Sequence, residues 1–152
     1  MNKTLINNFD EIVTGRRSIR NYDPSVKISK QEMTEILTKA TLAPSSVNLQ
    51  PWRFVVIDSP KGKATLAPLA KFNQTQVATS AAMIAVFADM NSIDYADDIY
   101  GKAVEEGLMP AEVRDTQLPA IKGLVSAMSV EQLKEMNLID AGLVSMQLML
   151  EA

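Results

Sequence analysis

Apolar side chains near the start of the chain recur every three or four positions, which is the spacing of one face of an α-helix. They are Leu5, Phe9, Ile12 and Val13. Thr14-Gly15 follows, and a glycine just past the last periodic residue commonly ends a helix. The pattern predicts a first helix that ends with Gly15 as its stop.

Two capping-box sequences predict the starts of later helices, because the serine and the residue three places on satisfy each other's backbone amides. Ser29–Glu32 predicts a second helix that ends near Leu42, since Pro44 disfavours helical backbone just before it. Ser129–Gln132 predicts a long final helix from Leu133 onward. One face of that helix carries Met136, Ile139, Leu143, Met146 and Leu150. It is apolar on nearly every side, which predicts that it is buried. We expect a second copy of the chain to cover part of it and a missing C-terminal tail to cover the rest, although either alone is an alternative.

Two short, continuous apolar runs predict buried strands, Phe54–Ile57 and Ala81–Ala88. Three other segments predict helices: Lys61–Lys71 with a kink at Pro68, Asn73–Thr79, and Asn91–Gly107 with Asn91 as its cap. Residues 111–127 carry no pattern that decides between helix and loop. The order of elements predicts mixed α and β structure, with helices covering a central sheet.

The amino-acid composition excludes several kinds of catalytic and metal site but is ordinary for a globular fold. The 152 residues include 47% apolar and 22% charged side chains, which is typical of one globular domain. Cysteine and histidine are both absent, which excludes disulfides, thiolate or imidazole metal sites and catalytic triads that need either residue. No metal site is expected.

The chain start lacks an apolar signal core, and no run reaches the roughly 18 apolar residues of a spanning helix, so we expect a cytoplasmic protein with no membrane partner.

Charge is distributed unevenly along the chain. Residues 1–88 carry a net charge of +5 and residues 89–152 a net charge of −8, giving −3 in total. Nucleic acid is therefore a poor partner for the whole chain. A small anion near the N-terminal half fits better, because three arginines cluster there, although solvated faces can differ in charge by chance.

Arg16–Tyr22 holds those arginines. Arg16, Arg17 and Arg20 lie within five positions, with Ser18 among them. A guanidinium group can donate two parallel hydrogen bonds to two phosphate oxygens, and the short side chain of serine adds a hydroxyl donor. The segment is therefore a candidate phosphate site. A solvated basic loop or a phosphorylation site are the alternatives.

Ala43–Phe54 combines two prolines, two serines, two amides and the only tryptophan, just before a strand. A rigid loop rich in hydrogen-bonding groups is typical of a binding site held by a scaffold. The alternative is a buried loop whose amides only satisfy backbone groups.

Together these segments resemble the nitroreductase family of FMN-dependent oxidoreductases. The resemblance rests on the run Arg-Arg-Ser-x-Arg-x-Tyr-Asp at 16–23 and the run Pro-Ser-Ser-x-Asn-x-Gln-Pro-Trp-x-Phe at 44–54. Phe72–Gln76 ahead of an apolar strand and Ile139–Leu143 in the last helix extend it over residues 5–152.

The resemblance implies an α+β, three-layer α-β-α fold in which helices cover a central mixed sheet, and a homodimer formed through the long apolar helix. It implies a single domain over residues 1–152, C-terminally short by about a quarter of the usual length, with residues 91–127 as a variable helical segment over the site. The implied activity is the reduction of nitroaromatics, quinones or similar small electron acceptors by NAD(P)H through bound FMN.

Residue roles also follow from the resemblance. Arg16 and Ser18 would hold the FMN phosphate with Arg17 adjacent, and Arg20 would reach the pyrimidine edge of the flavin. Asn73 and Gln76 would lie at the ring edge, where Gln76 replaces a lysine common in the family. The partner subunit would contribute Pro44, Ser45, Ser46 and Asn48. No side chain is required as an acid or base.

Two other hypotheses remain open from the sequence. A short chain could be a non-catalytic dimer that keeps the scaffold and has lost flavin binding with its C-terminal part. Alternatively, the arginines could serve an anion- or nucleotide-binding module without redox chemistry.

Overall fold

The computed structural model describes residues 8–152. Seven helices lie in this range: α1 (Phe9–Gly15), α2 (Lys30–Ala40), α3 (Pro60–Leu66), α4 (Gln74–Thr79), α5 (Ala96–Glu105), α6 (Ala111–Ser126) and α7 (Val130–Glu151). The strands are β1 (Trp52–Ile57) and β2 (Met83–Ala88), and short 3-10 turns span Ser46–Asn48 and Ser92–Tyr95. Leu5, part of the first predicted helix, and the chain start examined for a signal lie outside the described residues.

Both predicted capping boxes are confirmed. The Ser29 side chain accepts from the Glu32 amide while Glu32 accepts from the Ser29 amide, and α2 starts there. Ser129 and Gln132 form the same reciprocal pair at the start of α7. Each box satisfies two of the amides that a helix start leaves without partners, which is why these two starts are readable in the sequence.

Three local predictions are wrong in detail. Gly15 does not cap α1 in a left-handed conformation; it is the last helical residue, and Arg16 follows as the cap at φ −54°. Pro68 does not kink a helix, because α3 already ends at Leu66. Asn91 precedes a 3-10 turn and makes no side-chain cap, and α5 begins only at Ala96. Residues 111–127, undecided from the sequence, form α6 despite Pro119 inside it.

The two strands pair antiparallel, from Trp52 opposite Ala88 to Ile57 opposite Met83. This confirms the α+β class. The expected mixed sheet is not present in the described range, where the sheet has two strands. The chain leaves β1 at Ile57 and returns through α3 and α4 to the same end of the sheet, so β2 must run the opposite way. The strands are also less buried than predicted, since Val55 and Phe87 are about half exposed on one face.

Two hydrophobic clusters form the core. The first joins α2, the sheet and α7, and contains Ala40, Ala43, Trp52, Val144 and Leu148. The second lies among α5, α6 and the segment before β1, and contains Leu49, Ala96, Tyr100, Ile121 and Val125. The segment 43–52 contributes to both clusters, so its path is fixed at each end and in the middle.

Helix α7 is buried along one stripe rather than all round. The stripe comprises Asn137, Asp140, Val144 and Leu148. Its two polar members were not predicted to face inward. The residues that remain exposed on α7 include Leu138, Ile139, Leu143, Met146 and Met149, which we call the apolar face. No helix in residues 8–152 has both the length and the apolarity needed to cross a bilayer.

Candidate functional site

The arginine segment, Arg16–Tyr22, follows α1 as exposed, irregular chain. Arg17 turns back to the helix end, where its Nη1 donates to the carbonyl oxygens of Thr14 at 2.7 Å and Arg16 at 2.9 Å. The guanidinium groups of Arg16 and Arg20 form no salt bridge or hydrogen bond with any residue in the range 8–152. Two cations are therefore available to an external anion, and the third is partly used as a helix cap.

A single hydrogen bond ties the arginine segment to α4. The backbone amide of Tyr22 donates to Thr79 Oγ1 at 3.1 Å. Helix α4 is preceded by Asn73, which is exposed and whose Oδ1 accepts from Gln76 Nε2 at 3.1 Å. Two of the three groups of predicted site residues therefore lie on elements that touch each other.

The polar loop, Ser45–Gln50, contains every non-glycine residue with a positive φ in the range 8–152. Val47, Asn48 and Gln50 have φ angles of 43°, 53° and 46°, in the left-handed region. Such conformations cost about 1–3 kcal/mol each for residues other than glycine, and Val47 is β-branched, which makes it the most unusual of the three. Surrounding contacts must offset this cost.

Those contacts come from three directions. Asp140 Oδ1, on α7, accepts from the Ser46 amide at 2.9 Å and from Ser46 Oγ at 3.0 Å. The Tyr100 hydroxyl, on α5, donates to the Val47 carbonyl at 2.9 Å. Within the loop, the Gln50 amide donates to Ser45 Oγ at 3.0 Å. The loop is thus held between α5 and α7 in a defined shape.

Two electrostatic features support the same arrangement. Burial raises the pKa of the Tyr100 phenol, so this hydroxyl remains a neutral donor to the loop further into the alkaline range than an exposed tyrosine would. Arg53, just past the loop, pairs with Asp89 at 3.0 Å and lies 5.0 Å from the ring centre of Tyr95. Its Nη1 also donates to the Gln50 carbonyl at 3.3 Å, which joins the loop to the end of β2.

The third group of predicted residues stands apart from the other two. Within residues 8–152, no hydrogen bond links Pro44, Ser45, Ser46 or Asn48 to the arginine segment or to α4. An open cavity of about 760 Å³ between α3 and α4 contains none of the ten predicted residues. No described hydrogen bond and no part of this cavity therefore brings Pro44, Ser45, Ser46 and Asn48 together with the other two groups.

Sequence reasoning missed the residues that shape the polar loop. Asp140, Tyr100 and Arg53 each bond to its backbone, and Asp140 and Tyr100 are buried. No local signal identified Asp140, because hydrophobic periodicity assigns a polar helix residue to the solvent side. Its hydrogen-bond partner, Ser46, is 94 residues away in sequence and could not be read from the pattern.

The class of protein that this structure defines is an α+β protein with a small antiparallel sheet, a long central helix and a rigid polar loop between two cores. The model of the Nitroreductase family matches residues 13–152. The chain belongs to the nitroreductase family.

Known relatives cover most of the chain. "Putative NAD(P)H nitroreductase YdgI" of Bacillus subtilis (strain 168) is 66% identical over 146 residues, covering 96% of this chain and 70% of the relative. "CLA biosynthesis enone reductase" of Lactiplantibacillus plantarum is 36% identical over 152 residues, covering 99% of this chain and 70% of the relative. A solved structure of a "putative nitroreductase in complex with FMN" from Exiguobacterium sibiricum 255-15 is 69% identical, with a TM-score of 0.91 over 95% of this chain and 69% of that one.

Proposed function

We propose that this chain is an oxidoreductase that binds FMN and uses NAD(P)H to reduce nitroaromatics, quinones or similar small acceptors. Family membership supports it, as do the FMN in the 69% identical structure and the name of the 66% identical relative. The observation in this molecule that carries the proposal is the arginine segment. Its Arg16 and Arg20 lack acidic partners in the described range, and Tyr22 anchors it to the helix that Asn73 precedes.

The chemistry of the donors fits FMN. A phosphate group is held by several cationic or hydroxyl donors, and Arg16 and Ser18 supply one of each from the same exposed stretch of chain. The flavin ring edge needs amide donors and acceptors, and Asn73 is an exposed amide already paired with Gln76. When bound, FMN supplies the capacity to accept a hydride and pass it on, which no side chain of a protein can do.

Each residue then has a role that it can perform without transferring a proton. Arg16 and Ser18 hold the phosphate, and Arg17 lies beside them while capping α1. Arg20 places a cation at the pyrimidine edge, where it stabilises the negative charge that develops on reduction. Asn73 and Gln76 orient the ring edge.

We further propose a homodimer in which the third group of predicted residues comes from the partner subunit. Pro44, Ser45, Ser46 and Asn48 lie in or beside a loop that is bonded to α7 through Asp140. The same helix carries the apolar face, with Ile139 exposed at 65% and Leu138 at 60%. Pairing two such faces would bury apolar side chains and bring the polar loop of one chain towards the arginine segment of the other.

The segment 91–127 is proposed to shape the acceptor site. Its helices α5 and α6 enclose Leu49 of the polar loop, so changes in them would alter the surroundings of the flavin. A relative at 36% identity carries the name of an enone reductase. This name supports the proposal that proteins with this fold can reduce different electron acceptors. The proposed location is the cytoplasm.

Reconstitution with FMN tests the proposal. The purified protein is incubated with FMN, desalted and scanned for flavin absorbance, then mixed anaerobically with NADH or NADPH. Retained absorbance that bleaches with either nucleotide is the expected result. A protein that sediments as a folded dimer but retains no flavin would instead support the non-catalytic alternative, and preference for ATP or a sugar phosphate in a thermal-shift panel would support the anion-binding one.

A further inference from the structure

Asp140 is a buried carboxylate on α7, and both of the hydrogen bonds that its side chain accepts within residues 8–152 come from one residue, Ser46. Asp140 is 1% exposed, and its Oδ1 accepts both the amide and the hydroxyl of Ser46. Its Oδ2 has no hydrogen-bond partner within residues 8–152. Burying a carboxylate is costly, so this residue must supply something that an apolar side chain at the same place would not.

The place where Asp140 acts is the start of the strained turn. Ser46 directly precedes Val47 and Asn48, the first two of the three non-glycine residues with positive φ in the described range. Fixing the Ser46 amide and hydroxyl on a single oxygen restricts the backbone immediately before the turn. Without that acceptor the loop would relax, because β-branched Val47 strongly disfavours the left-handed region.

Asp140 also lies next to the exposed apolar face of α7. The neighbouring Ile139 and the nearby Leu143 belong to the exposed apolar face, while Asp140 points inward to the loop. One turn of α7 therefore carries both the proposed dimer surface and the contact that shapes the polar loop.

We propose that Asp140 is a positioning residue that locks the polar loop into its strained shape and so preorganises it for the flavin of the partner subunit. The part of this inference that concerns the flavin rests on the proposed function. Its structural part, the locking of the loop, stands on the geometry of this chain alone. Preorganisation of a rigid loop raises affinity by removing the ordering cost from the binding step.

Two substitutions of similar size separate the role of Asp140 from simple packing. Asp140→Asn keeps an oxygen acceptor for Ser46 and puts its amide nitrogen where Oδ2 has no partner, whereas Asp140→Leu removes the acceptor. Leu148→Ala is the matched control, because Leu148 lies in the same buried stripe two turns further on, in the first hydrophobic cluster, which contains no residue of the polar loop.

The first measurement is hydrogen–deuterium exchange of the amides at 46–50 in the flavin-free protein. We expect Asp140→Leu to lose protection there, Asp140→Asn to retain it, and Leu148→Ala to lower the melting temperature without selective loss at the loop. The second measurement is an FMN titration followed by flavin fluorescence. We expect Asp140→Leu to weaken binding roughly 10–100-fold, as for loss of a hydrogen bond to a charged group, and Asp140→Asn to restore most of it.

The outcomes are distinct. Unchanged loop exchange in Asp140→Leu, or an equal loss in Leu148→Ala, overturns the positioning role. A wild-type protein that takes up no FMN overturns the proposed function, while the exchange measurement still decides whether Asp140 locks the loop. If Asp140→Leu does not fold, Ser46→Ala removes one of the two donors to the same oxygen, and an unchanged exchange pattern at 47–50 in that variant would count against the inference.

Discussion

The backbone amide of Tyr22 donates a hydrogen bond of 3.1 Å to the hydroxyl of Thr79, 57 residues further along the chain. The same hydroxyl donates to the Thr75 carbonyl at 2.7 Å within α4. Thr79 therefore uses one side-chain oxygen to hold both its own helix end and the segment that carries Arg16 and Arg20. This contact therefore helps to orient the segment that carries a proposed ligand of the phosphate, Arg16, and a proposed ligand of the flavin ring, Arg20.

Removing that contact should weaken flavin binding without unfolding the protein. Thr79→Val keeps the shape of the side chain and deletes the acceptor, and loss of one neutral hydrogen bond corresponds to roughly 2–10-fold in affinity. Thr79→Ser keeps the hydroxyl and should bind FMN like the wild type. Fluorescence titration with FMN measures both, and equal affinities for the valine and serine variants would contradict the prediction.

The three arginines should differ in their contributions. Arg16→Ala and Arg20→Ala each delete a guanidinium with no partner in the described chain, and each should weaken FMN binding roughly 10–100-fold. Arg17→Ala should have a smaller effect on binding, because part of that guanidinium is bonded to the Thr14 carbonyl. Isothermal titration at two salt concentrations checks this, since screening should reduce the effect of an exposed cation. Lys61→Ala is the control, because Lys61 is exposed on α3 and is not among the proposed flavin ligands, and a loss there equal to that at Arg16 would indicate a non-specific charge effect.

Tyr100 should make the protein sensitive to alkali. Burial raises the pKa of its phenol above the usual value of about 10, because the charged form is poorly solvated there. The unfolded chain releases this proton first as pH rises, so the stabilisation is complete below about pH 10 and is lost as pH passes through the raised pKa. Urea melts at several alkaline pH values should show a shallower decline for Tyr100→Phe than for the wild type.

The same variant has a second expected effect near neutral pH. Tyr100→Phe removes the donor to the Val47 carbonyl and should lower the free energy of unfolding by about 1 kcal/mol. Parallel alkaline slopes for the two proteins would show that the Tyr100 phenol does not contribute to the pH dependence.

A charge placed on the apolar face of α7 should prevent self-association. Ile139→Glu would bury a carboxylate in the proposed interface and forfeit about 1.5–3 kcal/mol of apolar burial per side chain, so we expect a monomer in sedimentation velocity. Leu108→Glu changes a side chain that is 77% exposed and lies outside α7, and it should leave the oligomeric state unchanged. A monomeric wild-type protein, or a dimer that tolerates Ile139→Glu, would exclude this face as the interface.

The sequence predicted those elements whose signals are local. Both serine caps are visible because a capping box is completed within four residues, and both apolar runs became strands. The α+β class followed from their order. The first helix does end at Gly15, but Gly15 is its last helical residue and does not take the predicted position just past the end, and the kink at Pro68 was wrong because α3 already ends at Leu66.

The polar loop marks the limit of that reasoning. Its prolines, serines and amides identified it as a rigid loop, but nothing local indicates that Val47 adopts a positive φ. That conformation is imposed by Asp140 and Tyr100, which come from helices far along the chain. The inward orientation of Asn137 and Asp140 was likewise hidden, because hydrophobic periodicity assigns polar residues to the solvent side.

The only tryptophan of the chain, Trp52, lies 6% exposed where the polar loop enters β1 and contacts the first hydrophobic cluster. Its indole emission is therefore a built-in optical probe of the loop and of the packing beneath it. Ligand titrations, stopped-flow refolding and screens of variants can all be followed at this one position, with no label attached.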